Sequence, residues 1–341
     1  MKNGNDAREL ARHLSEFIDV YAPNHLTRSE HTCHSYRSSL NKYLAFLEDR
    51  KGYTLTTLCK ACFEQKVIEE WMRYMRKEEG LEPDTCNVRL SGLRKFLKYL
   101  SSRDTAFAYL YTEAVTIPDM KTVKKHVRGL SKEAVKAIMK EPDQRTVTGR
   151  RDLVFIMIVY GIAARISEVI NLRLKQIHLG DKNPNIVLFG KGGKTRTMYI
   201  LPKLAAHLKR YIQEVHGDHP DPESYLFYSR NGTRKNPLSS KAMENRLKIY
   251  AASAHEKCED VPLDLHMHQF RHARATHWME EGMNIIEISY LLGHEQLETT
   301  MKYLDVSIES LRKAQKVLDD EDTSKVSRKW KNKKSLKSLL K

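Results

Sequence analysis

Residues 265–278 read LHMHQFRHARATHW, with four histidines and two arginines in one short segment. Three chemistries use such a set: a metal site, a solvated basic face, or a site that holds an anion for reaction. Zinc hydrolases pair two histidines at i, i+4 with a glutamate directly after the first; His268 and His272 have the spacing, but Gln269 stands where the glutamate would be. Cys59 and Cys62 form a single close cysteine pair, whereas a structural zinc site uses two, and Cys33 and Cys86 lie apart. No carboxylate cluster offers Mg²⁺ a home. Neither a metal nor a cofactor is expected. GGKT (192–195) resembles the end of a nucleotide phosphate loop, but that motif needs glycine at 188, where Leu188 stands, and a helix where this chain predicts a strand.

The anion reading gains from helical spacing. Phe270, Ala273 and His277 fall on one side of a helix, the side expected to be buried. His268 and Arg271, three apart, share another, where a guanidinium and an imidazole form an oxyanion clamp. His272 and His277 read as packing histidines. Three further segments add cations. In YGIAARISEVINLRL (160–174), Arg165 opens a helix expected over 166–174 that buries Ile166, Val169, Ile170 and Leu172. Lys191 sits at the tip of a glycine hairpin. In ISYLLGHEQLETTMKYLDV (288–306), Gly293 stops a helix, His294 follows it, and Tyr303 stands nine residues on.

These segments resemble, in order and spacing, those of the tyrosine recombinase (phage-integrase-like) family. The family's G-x-R-x-S-E-like box matches Arg165 with Ser167 and Glu168, and its hairpin lysine matches Lys191. The H-x-x-R-H box matches His268, Arg271 and His272, L-G-H matches Leu292, Gly293 and His294, and the nucleophile matches Tyr303. Two positions depart from the pattern: Ala163 replaces a glycine, and Met267 stands where proline is frequent. The resemblance covers roughly 130–310 strongly and the segment before it more loosely.

What the resemblance implies is metal- and ATP-independent strand transfer. Arg165 and Arg271 would hold non-bridging phosphate oxygens and His294 would donate a further hydrogen bond. His268 would take the tyrosine proton, Lys191 would protonate the departing 5′-oxygen, and Tyr303 would attack to leave a 3′-phosphotyrosyl bond. Glu168 and His272 would support these groups. The partner implied is double-stranded DNA with inverted half-sites, bound by a homodimer at one site and a homotetramer in synapsis, with strand exchange through a Holliday junction. A type IB topoisomerase shares this catalytic logic and is the alternative; it would relax supercoils as a monomer.

The elements that must position these groups fall into two parts. The first, 1–115, is expected to be all helix, a SAM-like core-binding domain. Its apolar stripes are Tyr36, Leu40, Tyr43, Leu44 and Leu47; Ile68, Trp71, Met72 and Met75; and Leu93, Phe96, Leu97 and Leu100. The polar faces opposite carry His34, Arg37, Ser38 and Asn41, then Asn87, Ser91, Arg94, Lys95 and Lys98, and are expected to meet DNA backbone. A linker over 116–130 adds Lys121, Lys124 and Lys125. The second part, 131–306, is expected to be an α+β, mostly helical catalytic domain with a small antiparallel sheet. A helix starts after Ser131, others cover 150–160 and 240–254, and NIVLFGKGGKTRTMYIL (185–201) forms a hairpin that Pro202 ends. Beyond it, 307–341 holds a helix with an Ile308, Leu311, Ala314, Leu318 stripe that could pack on its own domain; the family resemblance implies that it docks on a neighbouring subunit. A tail over 324–341 follows, with eight basic and no acidic side chains.

A formal charge of +16 over 341 residues points to a polyanionic partner. No apolar run is long enough to span a membrane, MKNGNDAREL lacks a signal peptide's apolar core, and five unpatterned cysteines suit a reducing compartment. A cytoplasmic protein of the bacterial nucleoid is expected, without membrane partners. The chain opens almost directly on the helical domain, so no separate arm-binding module is expected.

Overall fold

The computed structural model describes residues 2–122, 129–180, 182–190, 193–229, 233–294, 296, 297 and 300. The chain divides into two units, Met1–His126 and Val127–Lys341.

The first unit is all helix. Helix α1 (Lys2–Glu16) continues into a wider π-helical segment, Phe17–Leu26, around Pro23, whose missing N–H does not fit a regular α-turn. Then come α2 (Glu30–Lys51), α3 (Gln65–Lys77), α4 (Pro83–Arg103) and α5 (Ala108–Thr116). Ser29 caps α2 by accepting the Thr32 N–H, and Gly52 ends it in the left-handed conformation. The apolar stripes meet in one core, where Tyr43 stands edge-on to Trp71 at 4.8 Å between ring centres. At Gly92, α4 passes so close to α2 that a Cβ would lie 2.7 Å from the Ser39 side chain. Ile117 is buried in this core, and the Asn87 amide exchanges hydrogen bonds with the Met120 backbone. Residues 117–120, expected as linker, are therefore fastened to the first unit.

The second unit combines helices with a three-stranded antiparallel sheet. Helix α6 (Lys132–Lys140) is capped by Ser131, and α7 (Val147–Gly161) is buried along Leu153–Phe155–Ile156–Val159 between α9 and α11. The short α8 (Ile166–Ile170) follows Arg165. Strands β1 (Ile177–His178), β2 (Asn185–Phe189) and β3 (Thr195–Tyr199) come next, then α9 (Pro202–His216), α10 (Ser240–His255), α11 (Met267–Glu280) and α12 (Ile285–Leu292). The hairpin pairs Leu188 with Arg196 and Ile186 with Met198. GGKT leads into β3 and not into a helix, so it does not build a phosphate loop.

One expected element is shorter than its sequence pattern. The helix expected over 166–174 stops at Ile170 because the next stretch pairs with another segment. The Leu172 carbonyl accepts the Leu226 N–H, and the Leu174 N–H donates to the Ser224 carbonyl. Leu172 is buried by that pairing, not by helical continuation. Among the described residues, no helix is long and apolar enough to cross a membrane.

Candidate active site

Three segments far apart in sequence converge in the second unit: α8 with the turn before it, the first half of α11, and the end of α12. The turn before α8 is set by Ala163, which adopts φ 49°, the left-handed region that costs a non-glycine residue about 1–3 kcal/mol. This is the position where the resembled family pattern expects glycine. The conformation aims the Ala163 carbonyl at α11, where it accepts a 2.7 Å hydrogen bond from Arg271 Nη1. The Leu292 carbonyl accepts a second, 2.6 Å, from Nη2. Arg271 is thus 1% exposed and joins α11 to both other segments.

His294 follows Gly293, whose left-handed φ of 63° ends α12. Arg271 Nη2 lies 3.1 Å from His294 Nε2, and His294 Nδ1 lies 2.8 Å from Thr300 Oγ1. A guanidinium only donates, so Nε2 accepts here and Nδ1 carries the proton. Burial, and then the charges of Arg271, Arg165 and Arg196, push the His294 pKa down to about 4, consistent with that neutral ring. His268 stands at the open rim of α11, its ring edge-on to His272 with 4.5 Å between centres. Partial desolvation, followed by Arg271 and Arg165, lowers the His268 pKa. His272 is pushed down to about 4 by burial, then by His268, Arg271 and His294. His277 lies on the buried side, 2.9 Å from the Tyr160 hydroxyl.

Arg165 is the more accessible of the two site arginines, with 34% of its side chain exposed. Glu168 holds it twice, accepting the Arg165 backbone N–H at 2.8 Å and Nη1 at 3.0 Å; Nη2 reaches the Gly293 carbonyl at 3.2 Å. Burial alone would raise the Glu168 carboxyl, but Arg196 and Arg165 hold it below its ordinary value. Beside Arg165 opens a cavity of about 480 Å³ lined by Ser167, Glu168, Asn171, Gln176, Phe189 and Gly190. Two imidazoles and two guanidiniums gathered in one cluster can take up a phosphodiester and spread its charge over several donors.

The sequence boxes thus bring Arg165, Glu168, His268, Arg271, His272 and His294 together. Lys191, Tyr303, Lys124, Lys125 and everything from 301 onward, including the Ile308–Leu318 stripe and the basic tail, lie outside the described residues. Two residues of the cluster are absent from the sequence reading. Thr300 orients His294, and no sequence signal marks it. Arg196 was legible: alternation along TRTMY puts it on the same face as buried Met198, and a charge on a core-facing register needs a partner.

In the first unit, His34, Asn41, Ser91, Lys95, Lys98 and Lys121 are exposed. Arg37 is paired with Asp19 at 2.8 Å on the surface. Asn87 and Arg94 are engaged within the unit. The Arg94 guanidinium donates to the Ala114 and Ile117 carbonyls and to Asp119, closing the end of α5. Cys59 and Cys62 lie with their sulfurs 3.9 Å apart in one 3₁₀ turn, and no group of three or more metal-binding side chains occurs among the described residues.

The profile of the Phage integrase family matches residues 128–310, more than half of the chain. That of the Phage integrase, N-terminal SAM-like domain, matches residues 20–104. Tyrosine recombinase XerA of Pyrococcus horikoshii is 29% identical over 287 residues, 84% of this chain and 87% of that protein. Among solved structures, XerH site-specific recombinase bound to palindromic difH substrate, a post-cleavage complex, aligns with TM-score 0.66 at 17% identity. It covers 93% of this chain and 91% of that one. A lambda integrase tetramer bound to a Holliday junction aligns with TM-score 0.60 at 14% identity, covering 87% and 77%. The fold these structures share is the one found here.

Proposed function

Because the chain belongs to the phage integrase family and is a tyrosine recombinase, we propose that it cleaves and rejoins DNA at a defined site. Subunits would exchange strands through a Holliday junction, in the integration, excision or transposition of a mobile element or in dimer resolution. The observation that carries this reading is the convergence of Arg165, Arg271, His268 and His294 in one cluster, with Glu168 fixing the first. Arg165 and Arg271 hold the non-bridging oxygens of the scissile phosphate. His294 donates to the same phosphate after Arg271 turns from its ring towards the oxygens and the imidazole changes tautomer, with the proton on Nε2 and Nδ1 accepting from the Thr300 hydroxyl. Tyr303 attacks phosphorus while His268 takes its proton, and Lys191 protonates the 5′-oxygen as it leaves. The phosphotyrosyl bond conserves the energy of the broken phosphodiester, so a 5′-hydroxyl from the second duplex reverses the step without ATP.

Double-stranded DNA with inverted half-sites is the partner. A homodimer occupies one site and a homotetramer forms the synapse, its subunits linked by the helix expected over Ile308–Leu318. The related XerA and the DNA-bound XerH and lambda integrase structures support recombination over the topoisomerase alternative.

The experiment selects the bound site from a library of the DNA that flanks the gene, places two copies of it on one plasmid and adds purified protein in EDTA without ATP. Deletion or inversion between the copies is expected. Relaxation of any supercoiled plasmid, without recombinants and without a preferred cleavage position, would favour the topoisomerase reading instead.

A further inference from the structure

We propose that Arg196 is a positioning residue for strand cleavage, saturating the Glu168 carboxylate so that the Arg165 guanidinium keeps its charge and donors for the phosphate. The inference rests on the assignment of Arg165 to the scissile phosphate.

Arg196 lies on β3 opposite Leu188, facing the core, and only 8% of it is exposed. Its guanidinium forks onto both oxygens of Glu168, at 2.8 and 2.7 Å. A carboxylate offers about four acceptor positions. Arg196 takes two and the Arg165 backbone N–H takes a third, which leaves one for the Arg165 side chain. Arg165 is therefore held by a single bond from Nη1 and a second to the Gly293 carbonyl, and its other donors remain for a ligand. Without Arg196, each oxygen of the buried carboxylate keeps its one bond from Arg165 and has one acceptor position vacant. The strong outcome is a bidentate fork that neutralises Arg165 and draws it out of the opening.

Arg196 also supports the turn that carries His294. A Cβ at Gly293 would lie 3.2 Å from Arg196 Nη1, so glycine there admits the guanidinium as well as the left-handed turn. One side chain thus braces α8, β3 and the 293–294 turn together. Simple stabilisation does not account for it. Buried ion pairs roughly break even against apolar residues of the same size. Arg196 Nε is moreover buried with no partner among the described residues, which is a cost.

The test is single-turnover cleavage of a nicked site duplex at saturating protein, read beside DNA affinity and thermal melting of the full chain. Arg196→Met is expected to slow cleavage roughly 10²-fold while DNA affinity stays unchanged. Adding Glu168→Gln to Arg196→Met is expected to restore roughly tenfold, because no carboxylate remains to capture Arg165. A merely structural Arg196 predicts no recovery in that double variant. Arg196→Lys, which offers Glu168 one bond in place of two, should fold normally and cleave at an intermediate rate, and it carries the test if Arg196→Met fails to fold. Wild-type rates in Arg196→Met or Arg196→Lys, or a double variant no faster than the single, would overturn the proposal. Failure of the underlying assignment looks different: Arg165→Ala would cleave as fast as the wild type, or the wild type itself would yield no cleaved product.

Discussion

His272 and His294 are held neutral by their surroundings, each with its pKa pushed down to about 4. An unfolded imidazole titrates near 6.5. Between those values the unfolded chain binds protons that the folded one refuses, so stability is full above about pH 6.5 and falls as pH drops towards 4. The melting temperature of the full chain should decline over that window, and His272→Gln should make the decline shallower. Equal slopes for the two proteins would show that His272 is not held neutral. Lys191 is a second prediction at this scale, with Lys194 only three residues away. If Lys191 is the general acid, Lys191→Ala should cleave ordinary DNA very slowly, because an alkoxide leaves poorly at neutral pH. A 5′-bridging sulfur leaves as a thiolate without a proton and should rescue it. Arg165→Ala and Arg271→Ala should recover less, since charge on the non-bridging oxygens still needs donors. Rescue of Lys194→Ala in place of Lys191→Ala would move the acid to the other lysine.

Helix faces that look alike in sequence do different work. On α4, Arg94 and Lys98 sit one turn apart on the polar face. Arg94 is consumed by two carbonyls and Asp119 at the end of α5, while Lys98 is exposed. Arg94→Ala should therefore destabilise the first unit by about 1–3 kcal/mol. Lys98→Ala should leave stability alone, weaken DNA binding evenly across sequences and reduce the salt slope of binding by about one. The reverse pattern in denaturant unfolding and salt titrations would contradict this division. The same contrast shows what sequence makes legible. Stripes such as Ile68, Trp71, Met72 and Met75, and the hairpin over 185–201, follow from local periodicity, and the helices and strands stand where it predicts them. Periodicity says nothing about pairings across the chain. It overextended α8 past Ile170, where residues 172–174 pair with 224–226, and it gave no sign that Arg271 would be buried against the carbonyls of residues 163 and 292. The alternation of TRTMY marks Arg196 as core-facing, but nothing local names its partner Glu168, which lies 28 positions earlier.

For the whole molecule, the excess of 16 positive charges suits a DNA polyanion, and the proposed strand exchange needs that DNA held by paired subunits. The Ile308–Leu318 stripe is the segment proposed to link them. Truncation after Asp305 should leave binding of one half-site measurable but remove cooperativity between two half-sites in a gel-shift titration. Unchanged cooperativity would mean that this helix serves its own subunit. The central claim is that Tyr303 makes and breaks the phosphodiester, and a nicked suicide substrate tests it most directly. Cleavage there releases a short strand and traps the protein on DNA. The account predicts a denaturation-resistant protein–DNA adduct with the wild type, and none with Tyr303→Phe, which should bind the same duplex almost equally well. An adduct that persists in Tyr303→Phe would contradict the account and point to another tyrosine, with the exposed Tyr290 and Tyr199 first in line.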